Sequence, residues 1–197
     1  LIIGYSSIKT IPKNKWKWVA ITGYVSFIPP FLFAYAQTEI DSALAAILNS
    51  LTPLATLLIG IGFYRFKIDS KQISGVILGL IGSVLLMYQG SIINPDQNIV
   101  YVIFIILASI LYALQVNLLK VYLQDVSAVA ITVGNFIFIF PFAIVIFFMT
   151  DYNELDLNDK DVSSALFYIL ILSIFGTVFA KILFNKLIQI SSPVFAS

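Results

Sequence analysis

Six apolar stretches divide the 197-residue chain, at 17–37, 42–64, 71–90, 98–119, 126–150 and 163–188, with short polar segments between them. Crossing about 30 Å of hydrocarbon at 1.5 Å per residue takes roughly 20 helical residues, and these stretches meet that length. Strands of a membrane barrel would be about half as long and would alternate apolar with polar residues, which these runs do not do. The pattern therefore predicts an all-α, polytopic transmembrane helix bundle. Turn-forming residues support the boundaries: Ser91, Asn94, Pro95 and Asp96 interrupt the chain after the third stretch, and an Asp/Asn-rich segment at 151–161 does so after the fifth.

The polar segments alternate in sign. Lys9, Lys13, Lys15 and Lys17 precede the first stretch, Arg65, Lys67 and Lys71 follow the second, Lys120 ends the fourth and Lys186 ends the sixth. The segments between them are acidic, with Glu39 and Asp41, then Asp96, then Asp151, Glu154, Asp156, Asp159 and Asp161. Lys and Arg near span ends are retained on the cytoplasmic side of a membrane, and a soluble protein has no reason to sort charge in this way. The expectation is a multi-pass protein of the cytoplasmic (inner) membrane. Segments 9–17, 65–71 and 120–125 would lie inside, and 38–41, 91–97 and 151–161 outside. Trp16, Trp18, Tyr64, Tyr88 and Tyr101 fall at span ends, as an interfacial aromatic belt requires.

Composition agrees with this picture. Apolar residues make up 60% of the chain and charged residues 11%, against about a quarter charged in soluble domains, and the mean hydropathy is +1.00. With no cysteine and no histidine, disulfides, thiolate chemistry and the commonest general base and metal ligand are absent from these residues. No buried carboxylate pair is visible, so the sequence argues against an enzyme and calls for no cofactor and no metal. The carboxylates at 151–161 lack the turn glycine and spacing of an EF-hand loop and read as a solvated outer loop. No basic stripe with interleaved aromatics points to nucleic acid. The partners expected are a small-molecule substrate and the lipid bilayer, with a homodimer left open.

The chain starts at Leu1 with an apolar stub too short to span, and it stops at Ser197 at the start of another apolar segment. Both ends read as cuts through a longer protein, and no signal-peptide pattern is present. Shifting the chain by about 150 residues lays 31–46 over 181–196 and pairs Ile40 with Ile190, Ser42 with Ser192 and Ala46 with Ala196. The identities are few, and chance similarity between two apolar helices is the alternative. The charge pattern gives the two copies opposite directions, so a true repeat would be an inverted one, a device of secondary transporters.

The order of elements resembles the EamA-type family of the drug/metabolite transporter superfamily. The resemblance rests on the basic loop, outward span and short acidic link, on Ser42-Ala-Leu-Ala-Ala-Ile-Leu-Asn-Ser-Leu-Thr-Pro53, and on Gly75-Val-Ile-Leu-Gly79-Leu-Ile-Gly82. Phe175-Gly176-Thr177 through Ser191-Ser192-Pro193-Val194-Phe195-Ala196-Ser197 is similar to the matching part of that family's second half. It implies a ten-helix fold of two inverted five-helix repeats. Residues 1–90 would be the C-terminal part of the first repeat (the end of span 2 and spans 3 to 5). Residues 98–197 would be the N-terminal part of the second (spans 6 to 8 and the start of span 9).

Polar groups at bilayer depth are costly, so they face a cavity or a neighbouring helix. Asn49 and Thr52 precede Pro53, whose missing N–H frees a carbonyl near Asn49. They make a site wall or an ordinary small-residue packing face. Pro29 and Pro30 free the carbonyls of Val25 and Ser26 and predict a kink, and Asn135 with Pro141 raises the same two readings. Tyr112 and Gln115 offer a hydroxyl and an amide, for a ligand or for a helix–helix hydrogen bond. Gly75, Gly79 and Gly82 predict close helix contact. In the last span Ser173, Thr177, Lys181, Asn185 and Gln189 recur at every fourth position and predict one polar face. Lys181 is the one charge well inside an apolar run, and it either snorkels to the interface or faces a cavity as a cation for a substrate carboxylate or phosphate.

The functional expectation is a secondary transporter moving a small organic metabolite, an amino acid or related compound by resemblance, through alternating access. Asn49, Thr52, Tyr112, Gln115, Asn135, Thr177 and Lys181 are expected to converge on one central cavity. A sugar-phosphate or organic-anion exchanger is the alternative within transport. A non-transporting helical membrane protein is the alternative outside it.

Overall fold

The computed structural model describes residues 5–67, 69–89, 99–150 and 159–197, which are overwhelmingly helical with no strand among them. Loop 91–97, the acidic residues 151–158 and the side chain of Tyr88 lie outside the described residues. A short helix α1 (Tyr5–Ile8) leads to α2 (Trp16–Ala36), α3 (Ser42–Asn49), α4 (Thr52–Tyr64) and α5 (Ser70–Gln89). Then come α6 (Ile99–Tyr122), α7 (Ala128–Met149), α8 (Lys160–Ile171), a π-helical segment (Leu172–Phe179), α9 (Ala180–Ile190) and α10 (Pro193–Ala196). Lys13–Ala36, Ser42–Tyr64, Val100–Tyr122, Ala128–Met149 and Lys160–Ile190 are long and apolar enough to cross a membrane. The remaining expected span, 71–90, is the 20-residue helix α5.

Caps written in the sequence set several helix starts. The Asp41 carboxylate accepts the Ala43 N–H at 2.7 Å, the Ser127 hydroxyl accepts the Ala130 N–H at 3.2 Å, and Ser192 does the same for Phe195 at 3.2 Å. The end of α4 is less usual. The Arg65 N–H reaches the Ile61 carbonyl, the bond of an αL cap, and the Phe66 N–H reaches that of Gly60. The residue in the left-handed conformation that closes it is Arg65, at φ 52°, where glycine is the common choice.

Two of the expected spans are not single regular α-helices, and the four-residue row of the last one does not survive as a single face. At Pro53 the stretch 42–64 divides into α3 and α4, because proline cannot donate to the Asn49 carbonyl. Ser50 and Leu51 instead close tighter bonds to Ile47 and Leu48. In the last span the π-helical segment has a wider turn, so every fourth residue no longer stacks. Ser173 is exposed and returns its hydroxyl to the Ile169 carbonyl at 2.8 Å. By contrast α2 runs on through Pro29 and Pro30, and α7 through Pro141, each as one helix.

Packing centres on α2, α6 and α7. Small residues permit the close approach that drives helix association in lipid. A Cβ added at Gly23 of α2 would stand 3.3 Å from the Asn135 Cα, and one at Gly134 of α7 would stand 2.6 Å from the Val19 Cγ1. Gly75, Gly79 and Gly82 do not act in this way: a Cβ at any of them meets nothing within 4 Å among the described residues. Helix α5 stands off from α3 across a groove of about 860 Å³ that Gly75 and Gly79 line.

The two ends of the bundle differ in charge. Ile11, Leu123, Val126 and Ile188 share one buried cluster, which brings together the basic segments before α2, after α6 and at the end of α9. Phe66 and Lys67 join Lys120 and Ser191 around a small cavity at the same end. There Trp18 stacks on Tyr122 with centroids 3.5 Å apart, and Tyr64 meets the same ring edge-on. Ala36, Ile40, Ala45 and Ile105 form a second cluster at the opposite end, beside Glu39 and Asp41.

Side chains cap helix ends at the basic end. The Lys120 ammonium donates to the carbonyls of Gln189 (2.9 Å) and Ser191 (2.7 Å), and the Gln189 amide donates to those of Leu123 (3.0 Å) and Val126 (2.6 Å). Lys120 of α6 thus satisfies carbonyls at the end of α9, and Gln189 of α9 satisfies those of the link from α6 to α7. Lys15 bonds the Tyr122 carbonyl at 2.7 Å and pairs with Asp125 at 3.0 Å, which holds the Asp125 carboxyl below its ordinary value.

Candidate functional site

Six of the seven expected residues line one cavity of about 600 Å³: Asn49, Thr52, Tyr112, Gln115, Thr177 and Lys181. They come from α3, α4, α6, the π-helical segment and α9, elements far apart in the chain, so the convergence is a property of the fold and not of a local motif. The break at Pro53 sets Asn49 and Thr52 together, with the Thr52 hydroxyl donating to the Asn49 Oδ1 at 3.1 Å. The side chains of Tyr112, Gln115 and Thr177 make no hydrogen bond to another described residue, although Gln115 is buried. A polar side chain at this depth that has no protein partner requires water or a ligand. The volume falls in the range of about 300–1,000 Å³ typical of small-molecule sites.

Asn135 is elsewhere. It is fully buried where α7 crosses α2, with its amide nitrogen placed to donate to the carbonyls of Val19 (3.0 Å) and Ile131 (2.9 Å). The Thr22 hydroxyl lies 3.4 Å from its side chain and is itself bonded back to Trp18. This is helix-packing geometry, the bland reading of an amide in a span. Asn117 is similar, donating to the carbonyls of Thr56 on α4 (3.1 Å) and Ala113 (2.9 Å). So is Asn185, which donates to the Thr132 hydroxyl at 3.0 Å. The expected polar row of the last span is therefore shared among three environments: Thr177 and Lys181 face the cavity, Asn185 binds α7, and Gln189 caps α6.

Lys181 does not reach for the basic end of the bundle. Its ammonium donates to the Ser26 hydroxyl at 2.7 Å and lies 5.9 Å from the centre of the Phe136 ring, within cation–π range. It sits nine residues before Ile190, roughly 14 Å of helix from that end. Ser26 is well suited to receive it. Its hydroxyl donates to the Gly23 carbonyl at 2.9 Å, leaving a lone pair for the ammonium. Both the third and the fourth residue after Ser26 are proline, so its own carbonyl has no helical N–H to accept. Ser26 was visible in the sequence only as a carbonyl freed by Pro30; its hydroxyl is the functional addition. Ser26, Pro30, Gly176 and Phe184 complete much of the cavity wall.

The model of the EamA-like transporter family matches two stretches of the chain, residues 1–88 and 99–197. The chain belongs to that family. Membership in the EamA-like transporters agrees with the helical membrane fold described above. A search of curated proteins finds no match. The EamA-like assignment is carried by almost the entire sequence, and the unmatched residues 89–98 run from the end of α5 to the start of α6.

Proposed function

We propose that this protein is a secondary transporter that carries a small organic metabolite across the cytoplasmic membrane by alternating access, with the 600 Å³ cavity as its substrate site. The observation that carries the reading is the convergence of Asn49, Thr52, Tyr112, Gln115, Thr177 and Lys181, several of them without a protein partner, on one cavity at membrane depth. Family membership supplies the transporter class, and the sequence resemblance favours an amino acid or related compound within it.

Residues 1–90 and 98–197 are read as portions of two inverted repeats that move against each other. The opposed directions of 31–46 and 181–196 support this, as does the double match of the family model. In this account the basic end, where Lys15, Lys120 and Gln189 tie helix termini together, is cytoplasmic. The cavity takes residues from both repeats, so rocking of one against the other would expose it first to one side and then to the other.

A second reading within transport, exchange of organic anions or sugar phosphates, is favoured by one observation. Lys181 is the only charged residue lining the cavity among the described residues. The test of the main reading is counterflow in proteoliposomes of the full-length protein across a panel of labelled amino acids and organic acids. Saturable exchange acceleration supports a carrier; flux without exchange acceleration identifies a channel and contradicts the proposal.

A further inference from the structure

A second, apolar chamber of about 780 Å³, open to the surface beside Phe31 and Phe140, adjoins the polar cavity, and the two share Ser26, Pro30, Thr177 and Lys181. Its other walls are apolar: Phe27 and Phe31 from α2, Phe136, Phe140 and Ala143 from α7, and Val178 from the π-helical segment. The Lys181 side chain crosses from α9 to Ser26 of α2 at the junction, so its ammonium has the polar chamber on one side and an aromatic-lined space on the other. Among the described residues neither chamber has a carboxylate side chain in its wall, and Lys181 is the only charged side chain in either.

We infer that the two chambers form one composite site for an amphiphilic organic anion, whose carboxylate or like group binds Lys181 and whose apolar group occupies the aromatic chamber. This rests on the proposed transport function and narrows its substrate class. A cation in a low-dielectric setting, held by a neutral hydroxyl and a phenyl ring with no anionic side chain beside it among the described residues, is an incomplete pair that an anion completes with a stronger, charge-assisted bond. Ser26 can release the ammonium to an anion and still keep its own bond to Gly23. The polar groups Tyr112, Gln115, Thr177 and Asn49 then hydrogen-bond the remainder of the ligand, while the phenyl rings take up an aromatic or branched apolar group by offset or edge contact.

The test measures binding to the purified full-length protein by thermal shift and calorimetry, with 3-phenylpropanoate, propanoate and 3-phenylpropanamide as probes. The expected order places 3-phenylpropanoate ahead of each of the other two by at least about tenfold, the worth of one charge-assisted bond or one buried ring. Lys181→Met should remove the advantage of acid over amide. Ala143→Phe, which fills the apolar chamber, should remove the advantage of phenylpropanoate over propanoate. Equal binding of acid and amide, or indifference to the phenyl group, overturns the proposal. So does displacement of phenylpropanoate by anionic lipid at equal potency in mixed micelles, which assigns the chamber to lipid. Counterflow distinguishes the two levels: if any solute exchanges while these probes fail the pattern, the carrier reading stands and the composite site falls.

Discussion

The Lys181 ammonium donates to the Ser26 hydroxyl across 2.7 Å, joining helices whose residues are 155 positions apart in the chain. Prolines at 29 and 30 deny the Ser26 carbonyl the N–H donors three and four residues on, and the π-helical turns lead into α9, which carries Lys181. Replacing Ser26 by alanine removes the acceptor while keeping the helix. The expected cost is about 0.5–1 kcal/mol, the usual worth of a hydrogen bond inside a membrane protein, read as a lowered unfolding midpoint in detergent. Ser26→Thr, which keeps the hydroxyl, should lose less.

The α2–α7 crossing predicts a paired result. Gly134→Ala places a methyl 2.6 Å from the Val19 Cγ1 and should destabilise the protein by about 1–3 kcal/mol through overpacking. Val19→Ala creates room, so the double variant should be more stable than additivity of the two single changes predicts, as residues in contact require. Additive losses in equilibrium unfolding would show that the two side chains do not meet.

Arg65 closes α4 in the left-handed region, where a side chain costs about 1–2 kcal/mol that glycine does not incur. Arg65→Gly should therefore stabilise the protein or leave it unchanged in detergent, because the relief of strain offsets glycine's extra flexibility. The same change removes a positive charge next to a span. In cells, reporter fusions should show that Lys67 and Lys71 still hold this loop inside.

At the basic end, Lys15 lowers the pKa of Asp125. A carboxylate lowered in the folded state contributes stability that is complete above its ordinary value near about 4 and is lost as pH falls through the lowered one. Asp125 is 60% exposed, so solvent screening limits the contribution to about 0.5 kcal/mol. Wild type should exceed Asp125→Asn in stability at neutral pH, and the difference should shrink as the carboxylate protonates. A difference that stays constant across the acid range would show that the pair contributes nothing electrostatic.

Much of the architecture was legible from hydropathy and charge, because span length and the sign of the loops are one-dimensional properties. Asn49, Thr52, Tyr112, Gln115, Thr177 and Lys181 could also be picked out, since a polar group in a span needs a reason that composition alone makes visible. Choosing between a cavity and a neighbouring helix is a three-dimensional matter. Asn135 resembles Asn49 in sequence, yet Gly23 lets the α2 backbone approach it and leaves no space for a cavity. Gly75 and Gly79 match the spacing of a close helix contact, but they line a groove. Ser173 belongs to the four-residue row, and the wider π-helical turn takes it off the cavity face.

The central claim, that the cavity is a water-accessible substrate site, is tested most directly by cysteine labelling. Single cysteines at Gln115 and Thr177 in a cysteine-free, full-length background would be exposed to a hydrophilic, membrane-impermeant maleimide, with Phe142 on the exposed apolar face of α7 as the control. The account predicts that Q115C and T177C react readily and are protected by transported solute, while F142C remains unlabelled in lipid. Labelling of Q115C and T177C no faster than F142C would contradict it.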